Sequence, residues 1–396
     1  MTSGEVRVVR RQWWAWAVVV LVVAAAVAPL VVVWLTNPDD QRLVDLDVYR
    51  TGGQMLLEGR PVYDYVTPAP QLLPFTYPPV AAMLAVGLAE MSWGTAQWVW
   101  TAGIFAALAV TVWLSFRQAL RKYVPWLFAL LMVACTYLMP IRDQVRFGQV
   151  DILLVALCLA DCVVKRPWWP RGFLIGLATA VKLTPGVFLI HLLVTRQWRT
   201  FFMAAFTTAV LTLLPFAVIP RDASQFWFSA LLDPNRLGSN AGTTNQSIRG
   251  MLIRLYLPET ATTAIWVVIV AVVGWYGFRG ARDAYRANDQ LTAVALVGLM
   301  AVLLSPVAWI HHLAWVVVVL GAIVGDGRDP VRLRVAAGVW LYYVLPIPWW
   351  GVSLKAADIP GVSLVLGKIV QNGFGLGALV LVWLLVSWLP KRRQIA

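Results

Sequence analysis

Apolar residues in this chain run in solid blocks rather than in stripes. Trp16–Leu35 reads WAVVVLVVAAAVAPLVVVWL, apolar on every side of a helix, whereas a soluble helix keeps a polar face. About 20 such residues cross about 30 Å of hydrocarbon at 1.5 Å each. In lipid the backbone must satisfy its own polar groups, so every block is predicted to be a helix. Twelve spans are assigned, several of them short and expected to extend into their flanks: 14–35, 94–116, 124–140, 151–164, 172–182, 186–195, 200–219, 261–278, 290–304, 313–325, 335–350 and 371–389. Pro79–Ala89 is apolar but has 11 residues and follows Pro78, which predicts a helix lying in, or dipping into, the interface. The chain therefore reads as all-α and integral to a membrane, one polytopic domain over 1–396. Its longest polar stretches are 36–93 and 220–260. In the first, Leu43, Leu46, Val48, Met55, Leu56 and Leu57 alternate with charges, as in a short amphipathic helix along the membrane surface.

Composition agrees, with 60% hydrophobic and 13% charged residues against roughly 25% charged in soluble domains. Several of the 22 Trp stand at block ends (Trp13, Trp14, Trp168, Trp169, Trp198, Trp349, Trp350), where indole favours the lipid–water boundary. Cys135, Cys158 and Cys162 fall inside apolar segments without disulfide or zinc spacing. The net charge of +13 does not indicate nucleic acid, because of where it lies. Seven clusters hold 20 of the 32 basic residues: Arg7/Arg10/Arg11, Arg117/Arg121/Lys122, Lys165/Arg166/Arg171, Arg196/Arg199, Arg279/Arg282/Arg286, Arg328/Arg332/Arg334 and Lys391/Arg392/Arg393. They recur at one end of alternate segments. The positive-inside rule assigns them to the cytoplasm, with both termini, in the plasma membrane. Loops 36–93 and 220–260 then face outward, and long ordered loops are usually functional.

Chemistry-bearing residues gather on that outer side. Asp45 and Asp47 lie in V-D-L-D-V-Y; on a helix they diverge by about 200° and cannot share a ligand, while on a turn they frame one site. A catalytic carboxylate, a D-x-D metal site and an ordinary solvated loop all fit the pair; nucleotide sugars, the usual D-x-D ligands, are cytoplasmic. His311 and His312 are adjacent in S-P-V-A-W-I-H-H, and neighbours about 100° apart on a helix do not both face one ligand. Headgroup-satisfied histidines are the plain alternative. His191, inside an apolar block, reads as packing. Arg142, Gln149, Lys182, Asn245, Arg249 and Lys368 sit at outward ends or loops. If they converge, Arg and Lys suit a phosphate; if not, each simply snorkels. Tyr49, Tyr77 and Trp309 offer either sugar stacking or anchoring.

V-D-L-D-V-Y with the following G-G, then P-F-T-Y-P-P, F-G-Q-V-D, K-L-T-P, N-Q-S and S-P-V-A-W-I-H-H resemble, in order, the motifs of glycosyltransferase family 87. The resemblance covers about residues 43 to 315. It implies a GT-C fold of about 12 transmembrane helices with short juxtamembrane helices in the first extracytoplasmic loop. It also implies inverting transfer of mannose from polyprenyl-phosphate mannose to a lipid-linked mannoside, making an α-1,2 bond. The acceptor would be a phosphatidylinositol mannoside, lipomannan or lipoarabinomannan. The family's catalytic acid matches Asp45, with Asp47 second, and its histidine maps to His311 or His312. No cofactor and no metal are expected beyond the lipid-linked donor. A related arabinofuranosyl transferase and a lipid or sugar transporter are the rival readings; the paired broken helices and internal repeats of transporters are not evident.

Overall fold

The computed structural model describes residues 3–38, 41–233, 236 and 238–395. The side chains of residues 1–13, 122, 123 and 395 lie outside the described ones, and with them those of Arg7, Arg10, Arg11, Trp13 and Lys122.

The chain opens with a long helix, α1 (Ser3–Leu35). Two short helices follow, α2 (Val44–Leu57) and α3 (Pro79–Ala89), and then the long α4 (Trp93–Tyr123). Next come α5 (Trp126–Thr136), α6 (Met139–Phe147), α7 (Asp151–Val163), α8 (Phe173–Val181), α9 (Val187–Val194) and α10 (Trp198–Val218). The second long loop carries α11 (Pro220–Phe228) and α12 (Ile248–Ile253), before α13 (Glu259–Arg286) and α14 (Gln290–Leu303). A 3₁₀ segment, Ile310–Trp315, runs into α15 (Val316–Val324). The last elements are α16 (Pro330–Val344), α17 (Ile347–Ala356), α18 (Ser363–Gln371), α19 (Gly373–Trp383) and α20 (Leu389–Ile395). Among the described residues the only β pairing is two isolated bridges, Val66 with Pro74 and Asn245 with Trp309.

All twelve expected segments are helical, but they are of two kinds. Among the described residues, five stretches are long and apolar enough to cross a membrane: Trp14–Leu35, Trp93–Arg121, Trp198–Val218, Glu259–Arg286 and Gly373–Gln394. Two bent pairs, α5 with α6 at 74° and α16 with α17 at 50°, bring the number to seven if each is one span. The other five expected segments are α7, α8, α9, α14 and α15, of 13, 9, 8, 14 and 9 residues. At 1.5 Å per residue these reach roughly 12–21 Å, short of about 30 Å of hydrocarbon. Twelve complete crossings are therefore more than the helix lengths alone carry. The shortfall has a position: α7, α8, α14 and α15 all stop at the same polar cavity.

Burial sorts the helices. Nearly every residue of α14 and α15 is buried, so they form the centre. The long α1, α10 and α13 expose Leu21, Phe202 and Val268 and their neighbours, the surface expected to meet lipid. The amphipathic α2 buries Leu46, Val48 and Met55, and it packs closely against α3. The crossing is close because Gly53 faces it, where a Cβ would stand 2.6 Å from Ala85 O. Helix α6 ends at Gly148, at φ 72° and against Leu46, which turns the chain back toward α7.

Candidate active site

A cavity of about 550 Å³ opens between the first loop, α6, the start of α7, the end of α8 and the segment before α15. Helix ends supply its polar wall. Asp45 lies in the first turn of α2, Gln149 at the entry to α7, Lys182 just past the last residue of α8, and His311 and His312 in the 3₁₀ segment; Asp151, the first residue of α7, stands behind them against Lys182. Helices that stop short of a full crossing place these groups at the bottom of a recess rather than on a flat outer surface.

On one side stands the carboxylate. Asp45 faces the cavity and is otherwise enclosed by protein. Loss of water raises its pKa to about 7, while a hydrogen bond from Gln149 and the charge of Lys182 pull the other way. Gln149 is oriented for that bond: its Oε1 lies 3.1 Å from Tyr49 Oη and 3.3 Å from Tyr77 Oη, so the phenols mark the acceptor end and leave its NH₂ for Asp45. The two phenols are 2.8 Å apart, and burial pushes Tyr77 up to about 12, so both stay neutral donors. Asp47, on the opposite side of α2, lies beside Arg50 and not on the cavity wall. The helix separates the two aspartates and brings only Asp45 to the cavity.

On the other side stands a positive centre. Lys182 Nζ is 2.7 Å from Asp151 Oδ1, 3.0 Å from His312 Nε2 and 3.5 Å from Tyr77 Oη. His312 Nδ1 accepts from the backbone N–H of Trp309 at 3.1 Å. A neutral imidazole has one accepting nitrogen, so with Nδ1 accepting, Nε2 carries the proton. The ammonium and this N–H then lie side by side as donors, an arrangement that an anion in the cavity accepting from both would satisfy. Among the described residues, His311 Nε2 and Asp151 Oδ2, 3.7 Å apart, and Arg236 Nε have no hydrogen-bond partner. Buried polar atoms are rarely left so in native proteins, and here three gather at one cavity.

Asp151, His311 and His312 bring one ligand atom each within 4.8 Å of one another, a triad that spacing along the sequence does not suggest. The residues fit a divalent cation poorly, because the Lys182 ammonium already stands against two of the three and repels a second positive charge. The lysine itself supplies the cationic chemistry at this place.

Of the residues singled out in the sequence, Asp45, Tyr77, Gln149, Lys182, Trp309, His311 and His312 line the cavity, and Tyr49 stands directly behind it. The rest lie elsewhere. Arg142 is beside Asp143 on α6. Arg249 stacks on Trp266, 5.6 Å from the ring centre, and Lys368 on Tyr256, at 5.0 Å. Asn245 is fully buried: its Oδ1 accepts from the N–H groups of Ser247 and Ala308, at 3.2 and 3.0 Å. With Ser247 Oγ donating to Pro306 O, the N-Q-S motif clamps the Ser305–Trp309 segment in place. These four are scaffold or surface cations and not part of the wall. Sequence reasoning missed Asp151, Asp143 and Arg236, all at this site. Asp151 closes the F-G-Q-V-D motif at the start of an apolar block, a signal that was present in the sequence. Arg236 lies in a polar loop with nothing local to mark it.

Comparison with known proteins identifies the architecture. The model of glycosyltransferase family 87 matches residues 75–306. The chain belongs to this family. A curated relative from Mycolicibacterium smegmatis is 36% identical over 77% of this chain and 76% of its own length. It is named polyprenol-phosphate-mannose-dependent alpha-(1-2)-phosphatidylinositol mannoside mannosyltransferase. The relative of the same name from Mycobacterium tuberculosis is 34% identical over 82% of this chain and 81% of its own. A third, from M. smegmatis and named for a phosphatidylinositol pentamannoside, is 30% identical over 79% and 77%. No solved structure matches the chain. As a glycosyltransferase of this family, the protein is an integral membrane enzyme of the GT-C type.

Proposed function

We propose that this enzyme transfers mannose from polyprenol-phosphate mannose to a phosphatidylinositol mannoside, forming an α-1,2 bond with inversion on the extracytoplasmic face. The observation that carries the reading is the placement, on the wall of one recess, of the buried Asp45 carboxylate and a lysine–histidine pair.

The steps follow from charge. The acceptor hydroxyl oxygen attacks the anomeric carbon while its proton passes to the Asp45 carboxylate, whose basicity burial raises. The bond from the anomeric carbon to the phosphate oxygen breaks, and its electrons leave with the polyprenyl phosphate. Lys182 Nζ and His312 Nε2–H meet the charge gathering on that phosphate, in a recess where such donors count for more than in water. An α product by inversion calls for a β-linked donor. Asp151 holds Lys182 charged and placed.

An apolar groove of about 220 Å³ adjoins Tyr49 and Tyr77 and runs between α3, α4, α7 and α8, with Leu84, Leu88, Leu153, Leu157 and Leu177 along it. It suits the isoprenoid chain of the donor, whose phosphate would then reach Lys182 beside Tyr77. The basic loops at the far ends of α7 and α8 support the outward orientation of the cavity, as does their excess of Lys and Arg. No cofactor enters these steps.

The test is transfer by the purified chain from radiolabelled polyprenyl-phosphate mannose to phosphatidylinositol mannosides, with α-1,2-mannosidase digestion of the product. Release of the label supports the assignment. Label transferred but resistant to that enzyme contradicts the linkage, and absence of transfer contradicts the donor or the acceptor.

A further inference from the structure

The end of the bundle away from the catalytic cavity holds a second polar cavity, of about 250 Å³. Asp161, Arg171, His191, Gln197, Tyr285 and Gln290 are on its wall. Asp151 and Asp161 are ten residues apart on α7, so about 15 Å of helix separates the two cavities.

Part of this wall is committed to the fold. The Asp161 carboxylate accepts from Trp169 Nε1 and from the backbone N–H groups of Gly172 and Ile175, at 2.9–3.1 Å. Arg171 donates to the carbonyls of Asp161, Val164 and Lys165. Their charges balance. What remains is a set of neutral hydrogen-bonding groups. His191 is 2% exposed, sits edge-on to the Tyr285 ring and, among the described residues, has no hydrogen-bond partner for Nδ1. Gln197 Nε2 is held by Thr195 Oγ1 at 2.9 Å, which orients the rest of the amide. Imidazole, amide and phenol offer both donors and acceptors, which suits hydroxyl groups; a bare anion would need donors only.

The rim is different. Lys165, Arg166, Arg196, Arg199 and Arg286 are exposed around the three loops that meet there. Nearby, Asp289 is paired with Arg393, and Asp283 lies against Arg279 and Arg282. The exposed excess is positive and suits phosphate. Trp168 and Trp198 are exposed at the same level, the depth that indole takes among lipid headgroups. From Trp198 an exposed stripe of Phe202 and Phe206 descends α10, at i+4 and i+8, on the surface where acyl chains lie.

We propose that this second cavity binds the polyol-phosphate headgroup of a membrane phospholipid, hydroxyls inside against His191 and Gln197 and phosphate at the basic rim. The site is separate from catalysis and does not depend on which sugar is transferred.

Phosphatidylglycerol is the probe, titrated onto the full-length chain in a neutral detergent and read by native mass spectrometry and thermal unfolding. Phosphatidylcholine, phosphatidic acid and soluble glycerol 1-phosphate serve as comparisons. Phosphatidylglycerol should be retained and raise the melting midpoint, with phosphatidic acid weaker and phosphatidylcholine inert. His191→Leu and Gln197→Leu should each weaken retention by about three- to tenfold, the loss of one neutral hydrogen bond, while Asp45→Asn leaves it unchanged. Gln197→Leu keeps the test decisive if His191→Leu does not fold. Unchanged retention in the variants overturns the site. Equal retention of phosphatidic acid overturns the polyol assignment, and an equal shift with glycerol 1-phosphate overturns the lipid.

Discussion

Replacing Gln149 with Leu isolates the control of the base. Gln149 donates to Asp45 and, through its oxygen, takes the phenols of Tyr49 and Tyr77. Asp45 already titrates at about 7, since burial outweighs the help that its charged form receives. A hydrogen bond to a charged group contributes about 1.5–3 kcal/mol, and a pKa unit corresponds to about 1.4 kcal/mol, so Gln149→Leu should raise Asp45 by roughly one to two units. The sign is fixed by the role. A general base works deprotonated, so kcat/KM climbs as pH rises through its pKa. In the wild type the acidic limb should have its midpoint near 7; in Gln149→Leu it should move toward 8–9, with the plateau reached only above it. The assay is the pH dependence of kcat/KM for mannosyl transfer, at saturating acceptor and low donor. Coincident acidic limbs in the two proteins would refute the reasoning, and so would activity that increases as pH falls.

Three further outcomes follow from the same geometry. Lys182→Met should lower kcat by about 10²–10³, as loss of a preorganised donor to a developing charge does. It should also destabilise the fold by about 3–5 kcal/mol, because Asp151 is left buried and unpaired; thermal unfolding should show Asp151→Asn/Lys182→Met regaining stability but not activity. Asn245→Ala should cost roughly 1–3 kcal/mol in denaturant unfolding, since two backbone N–H groups lose their acceptor, and a donor KM raised tenfold would show that it binds substrate after all. Gly53→Val should sharply reduce the folded yield, read by size-exclusion chromatography, because its Cβ meets the backbone of Ala85 at 2.6 Å.

The parts of this fold that were legible in the sequence are those set by local pattern. Apolar blocks give helices because lipid leaves the backbone no other choice, and the mixed residues 43–57 and the short block after Pro78 give α2 and α3. Helix phase also decided between Asp45 and Asp47 once α2 was known to be helical. Depth was not legible. Polar residues such as Asp151, Lys182 and His312 mark the ends of α7, α8 and the segment before α15, but only packing shows that these ends meet at one recess. Tertiary assembly likewise joined Asp151, Lys182 and His312, which lie up to 161 positions apart in the chain. Asn245 looked like a ligand because it is polar in a polar loop; in the structure its amide extends the pairing of two segments whose backbone ladder is a single isolated bridge. His191 read as packing, and it does touch Tyr285, but the polar cavity on its other side is formed by loops far away in sequence.

The central claim is that Asp45 removes the acceptor's proton while Lys182 and His312 hold the departing phosphate. Its most direct test compares wild type with Asp45→Asn for single-turnover mannosyl transfer and, in the same preparations, for binding of polyprenyl-phosphate mannose. The account predicts that Asp45→Asn binds the donor within about threefold of wild type, well under the tenfold that 1.4 kcal/mol represents, and transfers no measurable mannose. Transfer at the wild-type rate by a folded, donor-binding Asp45→Asn enzyme would contradict it.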